Sequence, residues 1–255
     1  MDKPLVALGW DVRGWLNSQQ ATAVARLAAG SRSIEWLVSE PFSFDKGSIP
    51  GFVALAVPAV GDAIAAELRS AQNMAIAIDA PLAFPKDFSD LVSGKEARHP
   101  VPAKELENRL AYRDCERWVA GEFGRKPLSA PFDKLGNNAS LAMSVVHELA
   151  REGFVVVPQR KSHADRAVIE VYPGIVKRGA RRSDPAVPGL ARHLPEGLEP
   201  GTDRYDAAIC AVLGLVYLGG GPKLDLPNLV AFPAGADPSE GWIFTLPAEF
   251  LREDE

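Results

Sequence analysis

Four acidic residues are the groups in this sequence best suited to chemistry. Asp11 and Asp79 follow apolar runs that are typical of strands. Glu170 lies inside another such run, and Asp206 begins an apolar helical segment. A carboxylate at the end of an apolar strand is costly unless it is solvated, paired or bound to a cation. Three acids on strands and one on a helix therefore indicate a shared cation, and Mg²⁺ or Mn²⁺ suits such an all-oxygen site.

Each of these acids also has an ordinary structural explanation. Asp11 and Asp79 both precede turn-forming residues, where an Asp often only caps a loop. Asp203 and Asp206 lie one helical turn apart, as an N-cap and a first-turn acid would. Glu170 is less easily explained, because acids are rare inside apolar stretches. Only the coincidence of all these positions favours a functional site.

The composition predicts one folded domain over residues 1–255. The chain is 47% hydrophobic, which is enough to bury one sizeable core. Cys115 and Cys210 are the only cysteines and neither belongs to a C-x-x-C pair, which argues against a disulfide framework and a zinc site. No signal sequence is evident, and no stretch approaches the roughly 18 apolar residues of a membrane span. We therefore expect a soluble, cytoplasmic protein with no membrane partner.

The charge of the chain gives no general attraction to nucleic acid. A net charge of −5 argues against a passive nucleic-acid binder, which relies on many Lys and Arg residues. It argues less against an enzyme, because basic loops hold phosphate locally. Two such loops are present, at residues 159–166, which include Lys161, and at residues 177–182. Each is equally compatible with a solvated surface run.

The order of apolar segments predicts an α/β sheet. Strands are expected at residues 4–11, 33–38, 74–78, 154–157, 167–172 and 241–247. Helices are expected at residues 20–29, 60–69, 138–151 and 205–218. The proline-rich residues 80–102 are predicted to form a long loop over the carboxyl edge of the sheet, and such loops are commonly functional.

A further helix is predicted over residues 104–123. It places Arg109, Arg113 and Arg117 four residues apart, so the three side chains would share one face. One interpretation is an exposed helix whose arginines pair with nearby acids. The other is a row of arginines that faces the phosphates of a substrate.

Motifs along the chain resemble a known family. They are residues 9–11 (GWD), 78–82 (IDAPL), 113–117 (RDCER), 169–173 (IEVYP), 203–208 (DRYDAA) and 240–244 (EGWIF). In this order they resemble the domain of unknown function 429 family, described as predicted nucleases with a ribonuclease H-like fold. The resemblance extends from residue 8 to residue 247. It has two departures: Trp10 replaces a small or aliphatic residue, and residues after Trp15 have a helix-like pattern where the fold expects a second strand.

The resemblance implies a fold and a reaction. The fold would be α/β, a ribonuclease H-like mixed sheet flanked by helices, with a helical and loop insertion at about residues 83–150 after the fourth strand. In such enzymes, carboxylates from the first strand, the fourth strand and a late helix hold two metal ions about 4 Å apart, which hydrolyse a phosphodiester bond. The implied cofactors are thus two Mg²⁺ or Mn²⁺ ions, and the implied partner is nucleic acid of unknown type.

The resemblance also assigns roles to residues. Asp11 would bridge the two ions and Asp79 would be a second ligand. Asp206, assisted by Asp203, would complete the site. Glu170 would be a further ligand or a carboxylate that orients one. The groups expected to contact substrate phosphates, or in the case of the arginines to order the acids, are Arg113, Arg117 and Lys161.

Two other classes of protein remain open. The same broad fold carries nucleotide-dependent phosphotransferases and ATPases, although the sequence has no G-x-x-x-x-G-K-S/T loop. A non-catalytic scaffold would instead use the acids as salt-bridge partners of the arginines. Serine and cysteine hydrolases lack support, since there is no G-x-S-x-G motif.

Overall fold

One mixed sheet organises the computed structural model, which describes residues 3–95, 99–132, 135–159 and 165–253. Within these ranges the sheet has seven strands. They are β1 (Leu5–Asp11), β2 (Ala21–Leu27), β3 (Ile34–Val38), β4 (Met74–Asp79), β5 (Val155–Val156), β6 (Arg166–Val171) and β7 (Ile243–Phe244). The described helices are α1 (Phe52–Arg69), α2 (Lys86–Val92), α3 (Asp114–Phe123), α4 (Leu135–Arg151), α5 (Pro188–Ala191), α6 (Asp203–Leu215) and α7 (Ala248–Glu253).

The sheet combines an antiparallel half with a parallel half. Its strand order is β3-β2-β1-β4-β6-β5, and β7 also pairs with β6. Strands β1, β2 and β3 are antiparallel neighbours, whereas β1, β4, β6, β5 and β7 are paired in parallel. The carboxyl ends of β1 and β4 therefore meet at the same edge of the sheet.

Alternation along β1 divides the core into two layers. Leu5 and Ala7 pack on one face together with α6, whereas Val6 and Leu8 pack on the other face against α1 and α4. Successive side chains of a strand point to opposite faces, so the parity of a residue number decides its layer. Odd-numbered positions of β1 and β4 face α6.

Helix α6 lies unusually close to the sheet. A Cβ atom added to Gly9 of β1 would lie 2.0 Å from the carbonyl oxygen of Ala207 and 2.4 Å from the backbone nitrogen of Ala211. One added to Gly214 would lie 2.9 Å from the Cβ atom of Ala7. Glycine on both surfaces therefore lets the helix approach the backbone of β1.

Helix α6 and the turns that follow it are more apolar than the sequence analysis expects. Residues 203–224 are, within the described ranges, the one helical stretch that could cross a membrane by length and composition. The expectation that no stretch is so apolar does not hold by this measure. However, 72% of the apolar 18-residue window within it is buried inside the protein, and packing against the sheet accounts for its apolar character.

The largest error of the sequence prediction lies at residues 20–29, which form β2 rather than a helix. Apolar spacing there is compatible with a helix, but six of the seven residues of β2 are buried. A strand covered on both faces carries a continuous apolar run, and periodicity does not separate such a run from a helix.

The helix predicted at residues 104–123 was also wrong in its first half. A short 3₁₀ turn occupies Glu105–Glu107, and α3 starts only at Asp114. The side chain of Asn108 accepts a hydrogen bond from the backbone nitrogen of Leu110, a local bond that competes with helix formation. Arg109 therefore lies outside α3, and the three arginines share no helical face.

The remaining predicted elements are confirmed to within a few residues, apart from two differences. The helix expected at 60–69 is the second half of α1, which is interrupted at Gly61 with φ 76°. The long loop expected at 80–102 contains α2. Between β4 and β5 the chain forms α2, α3 and α4, of which α3 packs in the layer of α6 and α4 in the layer of α1.

The close contact of α6 with β1 predicts that Gly9→Ala is strongly destabilising. The added methyl group meets backbone atoms of α6, which cannot move aside as a side chain would. We expect a loss of about 3 kcal/mol or more in the free energy of unfolding, measured in urea. The control is Gly121→Ala in α3, where a Cβ atom meets nothing within 4 Å and alanine should add about 0.5–1 kcal/mol. Equal stabilities of the two variants would contradict this packing.

Candidate functional site

Two carboxylates stand side by side at the carboxyl edge of the sheet. Asp11 ends β1, Asp79 ends β4, and the two residues are partners in the parallel register. Neighbouring strands lie about 4.8 Å apart, and side chains at paired positions point to the same face. Both carboxylates thus point to the α6 side of the sheet.

The first turn of α6 reaches the same edge. Its N-cap is Thr202, whose hydroxyl oxygen accepts a hydrogen bond of 3.2 Å from the backbone nitrogen of Tyr205. This cap begins the helix immediately before Asp203, so that Asp203 and Asp206 lie in its first turn. The helix therefore supplies two further acids to the end of the sheet.

A cleft of about 550 Å³ opens at this edge. Three carboxylates line it, those of Asp11, Asp79 and Asp206. Its other walls carry a ring of basic residues, which are Arg13, Arg125, Lys126, Lys177, Arg181 and Arg182. An acidic floor under a basic rim suits a ligand that carries phosphate together with a cation.

Internal cations already pair with the two acids of α6. Asp203 forms ion pairs with Arg13 and with Arg182, both at the same carboxylate oxygen. Asp206 lies 2.6 Å from the ammonium group of Lys177, whose side chain is 3% exposed. The acids of the strands are less well compensated. The closest cation to Asp11 is Arg13, at 3.8 Å, and Asp79 has no hydrogen bond or ion pair with any described residue.

The environment raises the pKa values of the three cleft acids. Burial raises the pKa of Asp11 well above its ordinary value, and the neighbouring Asp79 raises it further. Burial raises the pKa of Asp79 to about 8, with Asp206 adding to the effect. Burial also raises the pKa of Asp206, although Lys177 opposes the change. Burial therefore disfavours the ionised form of these carboxyls, and a bound cation would favour that form.

Glu170 lies on the other face of the sheet. It pairs in register with Ile78, and Ile78 packs in the layer of α1 and α4. Its carboxylate accepts hydrogen bonds of 2.6 and 2.8 Å from Arg113 and one of 2.9 Å from the backbone nitrogen of Leu82. These contacts favour the role of an ordering carboxylate over that of a metal ligand.

Arg113 is the centre of a buried network. Its side chain is fully buried and also donates to Glu116, at 2.6 and 2.8 Å, and to the carbonyl oxygen of Glu240, at 3.1 Å. The network joins the start of α3 to β6 and to the segment before β7. Of the two roles considered for Arg113, the geometry favours the ordering of acids, because its guanidinium group has no access to a substrate.

Of the other expected phosphate contacts, Arg117 is not brought to the cleft. Arg117 donates a 2.5 Å hydrogen bond to the carbonyl oxygen of Tyr112 and pairs with Asp114 of its own helix. Lys161 lies outside the described residues. The basic loop at 177–182 does reach the cleft, through Lys177, Arg181 and Arg182.

The sequence analysis does not identify Arg13 as a site residue, and it includes Lys177 only as a member of the basic loop 177–182. Arg13 follows Asp11 by two residues, and its backbone nitrogen donates a 3.1 Å hydrogen bond to the buried side chain of Gln20. Gln20 also binds the carbonyl oxygen of Gly14, so it fixes the turn that carries Arg13. A buried glutamine nine residues after the end of β1 carries no recognisable signal in a single sequence.

The donor set fits one divalent cation better than two. Asp11 and Asp79 supply oxygen ligands from neighbouring, paired strand positions, and oxygen is the ligand that a hard cation prefers. In the described part of the chain, however, no group of three or more His, Cys, Asp or Glu residues is arranged to hold a metal ion. The acids of α6 are instead engaged by Lys177, Arg13 and Arg182.

The sheet and its cleft define a mixed α/β protein with an acidic site at the carboxyl edge. The chain belongs to the family described as protein of unknown function DUF429, whose sequence model matches residues 17–187. That match includes Asp79 and Lys177, while Asp11 and α6 lie on either side of it. No curated protein and no solved structure matches the chain.

The buried network predicts that Arg113→Met is severely destabilising. It leaves Glu116 and Glu170 buried without a cation, and breaking such a pair costs about 3–5 kcal/mol. The double variant Arg113→Met with Glu170→Gln should recover part of that loss. Arg109→Met is the control, because its pair with Asp87 is exposed and worth at most about 1 kcal/mol. Equal urea midpoints for Arg113→Met and Arg109→Met would refute the network.

The raised pKa of Asp79 predicts a stability that depends on pH. Between the ordinary value of 3.8 and about 8, the folded protein binds more protons at this carboxyl than the unfolded chain, so its stability falls as pH rises. Asp79→Asn removes the buried charge and should raise Tm at pH 8.5 by about 2–8 °C, for a gain of about 1–2 kcal/mol.

The advantage of Asp79→Asn should disappear near pH 4, where the wild-type carboxyl is neutral. Asp62→Asn, at an exposed position of α1, is the matched control and should leave Tm unchanged at both pH values. A lower Tm for Asp79→Asn at pH 8.5 would show that the charge of Asp79 is compensated in the folded protein.

Proposed function

We propose that this protein is a metal-dependent hydrolase of phosphodiester bonds, with a ribonuclease H-like fold and nucleic acid as its substrate. The observation that carries the proposal is the register of Asp11 with Asp79 at the carboxyl ends of two parallel strands, beside the first turn of α6. Carboxylates from a first strand, a fourth strand and a late helix are the set that the sequence resemblance implied. The strand β2, which follows β1 in the chain, supports this fold, because the resemblance implies a second strand after the first acid.

The residues of the cleft divide into ligands and supports. Asp11 and Asp79 would hold the cation, which would supply an activated water and stabilise charge on the phosphoryl oxygens. Arg13 and Arg182 hold Asp203 at the start of α6 and so fix the helix above the cleft. Arg125 donates to the carbonyl oxygens of Gly174 and Lys177, the latter at 2.6 Å, and thereby holds the basic loop against the cleft.

The rim would bind the substrate through its phosphates. Arg181 is exposed at the tip of the basic loop, and Lys126, which pairs with Glu105, also lines the cleft. Guanidinium and ammonium groups beside the carboxylates would bind a phosphate without contacts to bases. The geometry therefore supports binding of a nucleic-acid backbone and leaves the choice between DNA and RNA open.

A non-catalytic scaffold is the second candidate, and one observation favours it. The ion pairs of Lys177 with Asp206 and of Arg13 with Asp203 are what a purely structural use of these acids would produce. The two candidates differ at Asp11 and Asp79, because a scaffold gives no reason for two poorly compensated carboxylates at one edge of the sheet.

The decisive experiment measures cleavage of labelled single-stranded, duplex, hybrid and branched nucleic acids in Mg²⁺ or Mn²⁺. We expect cleavage by the wild type, and a loss of more than about 100-fold in Asp11→Asn and in Asp79→Asn, beyond the usual cost of losing an outer-shell partner. Asp62→Asn should retain full activity. Absence of cleavage, with no rise of Tm on adding metal, would leave the scaffold; metal binding with release of phosphate from nucleotides would indicate a phosphotransferase or ATPase.

A further inference from the structure

One cation that is already present inside the cleft is the ammonium group of Lys177. It lies 2.6 Å from a carboxylate oxygen of Asp206 and donates a 2.9 Å hydrogen bond to the carbonyl oxygen of Arg182. The residue is 4% exposed, which is rare for a lysine. Lys177 therefore acts as a fixed internal charge rather than as a mobile surface group.

The backbone around Lys177 holds that charge in place. Lys177 forms an antiparallel bridge with Ala186, and the flanking backbone nitrogen atoms of Arg178 and Val187 donate to Pro185 and Val176 at 2.9 and 3.0 Å. The carbonyl oxygen of Lys177 is in turn bound by Arg125. Because these contacts fix the main chain on both sides, the side chain of Lys177 extends into the cleft from a well-ordered backbone.

The acids that remain for a metal lie at the ends of β1 and β4. Asp11 is 6% exposed and accepts no hydrogen bond from any described residue, although it lines the cleft. Asp79 likewise lacks a hydrogen bond or ion pair among the described residues. Apart from the 3.8 Å ion pair of Asp11 with Arg13, these two carboxylates have no partner among the described residues, so this end of the cleft is where a cation would stabilise most.

The partners of the acids indicate the number of cations. Lys177 supplies at Asp206 the positive charge that a second cation would supply. Asp203 is engaged in the same way by the guanidinium groups of Arg13 and Arg182. Asp11 and Asp79 remain, and two carboxylates at paired strand positions suit one divalent cation.

We propose that Lys177 takes the position of a second metal ion at Asp206, so that the cleft binds one divalent cation between Asp11 and Asp79. This inference rests on the proposed function in assuming that the cleft binds a metal. Lys177 is a positioning residue in this arrangement: it fixes the carboxylate of Asp206 beside the ion.

The test counts bound Mn²⁺ by electron paramagnetic resonance and by calorimetry, without any substrate. We expect one Mn²⁺ per wild-type chain, and one for Lys177→Arg, which keeps the charge. Lys177→Met, which keeps the length of the side chain and removes the charge, should bind a second Mn²⁺ at Asp206. The control Lys46→Met, at an exposed lysine, should bind one. Circular dichroism before titration verifies that each variant is folded.

Several results would overturn the inference. Two Mn²⁺ ions in the wild type would show that Lys177 does not replace a cation, and an unchanged count in Lys177→Met would show that Lys177 does not exclude one. The proposed function is judged separately. Two ions together with cleavage of nucleic acid would support the nuclease and reject this role of Lys177. One ion without cleavage would support this role of Lys177 and reject the nuclease. No bound ion would reject both.

Discussion

The contact between α6 and β1 is the constraint on which the rest of the structure depends. Gly9 and Gly214 remove the side chains that would keep the helix at an ordinary distance, so α6 lies directly on the sheet. The depth of that packing makes α6 almost wholly buried and gives it the composition of a membrane span. It also determines the position of the first turn of α6 relative to the carboxyl ends of β1 and β4. The site is therefore a consequence of backbone packing in the core.

The acids appear equivalent in the sequence, but they differ in whether a cationic side chain compensates their charge. Asp206 receives Lys177, while Glu170 receives Arg113 on the opposite face of the sheet. Asp11 and Asp79 remain poorly compensated, and burial raises the pKa of both. An internal cation stabilises a buried acid at the cost of its freedom to bind another ligand. The poorly paired acids are consequently those best placed to bind a cation from solution.

The comparison of sequence with structure shows where local patterns are sufficient. Strands β1 and β4 were predicted because each is a short apolar run that ends in an acid. The pattern of β2 predicts a helix, because burial on both faces removes the alternation that identifies a strand. The start of α3 was placed ten residues too early, since spacing of arginines says nothing about the local hydrogen bonds of Asn108 that prevent a helix there.

The sequence by itself determined the mixed α/β class, the strands that carry Asp11 and Asp79, and the helix that carries Asp206. These follow from apolar periodicity and from breaker residues, which act over a few neighbours in the chain. Only the tertiary structure decided which acids are free. That choice depends on Lys177 and Arg113, which are distant in sequence from the acids of β1 and β4 and from each other. Pairing of charges is a property of distances in space, and a single sequence contains no record of them.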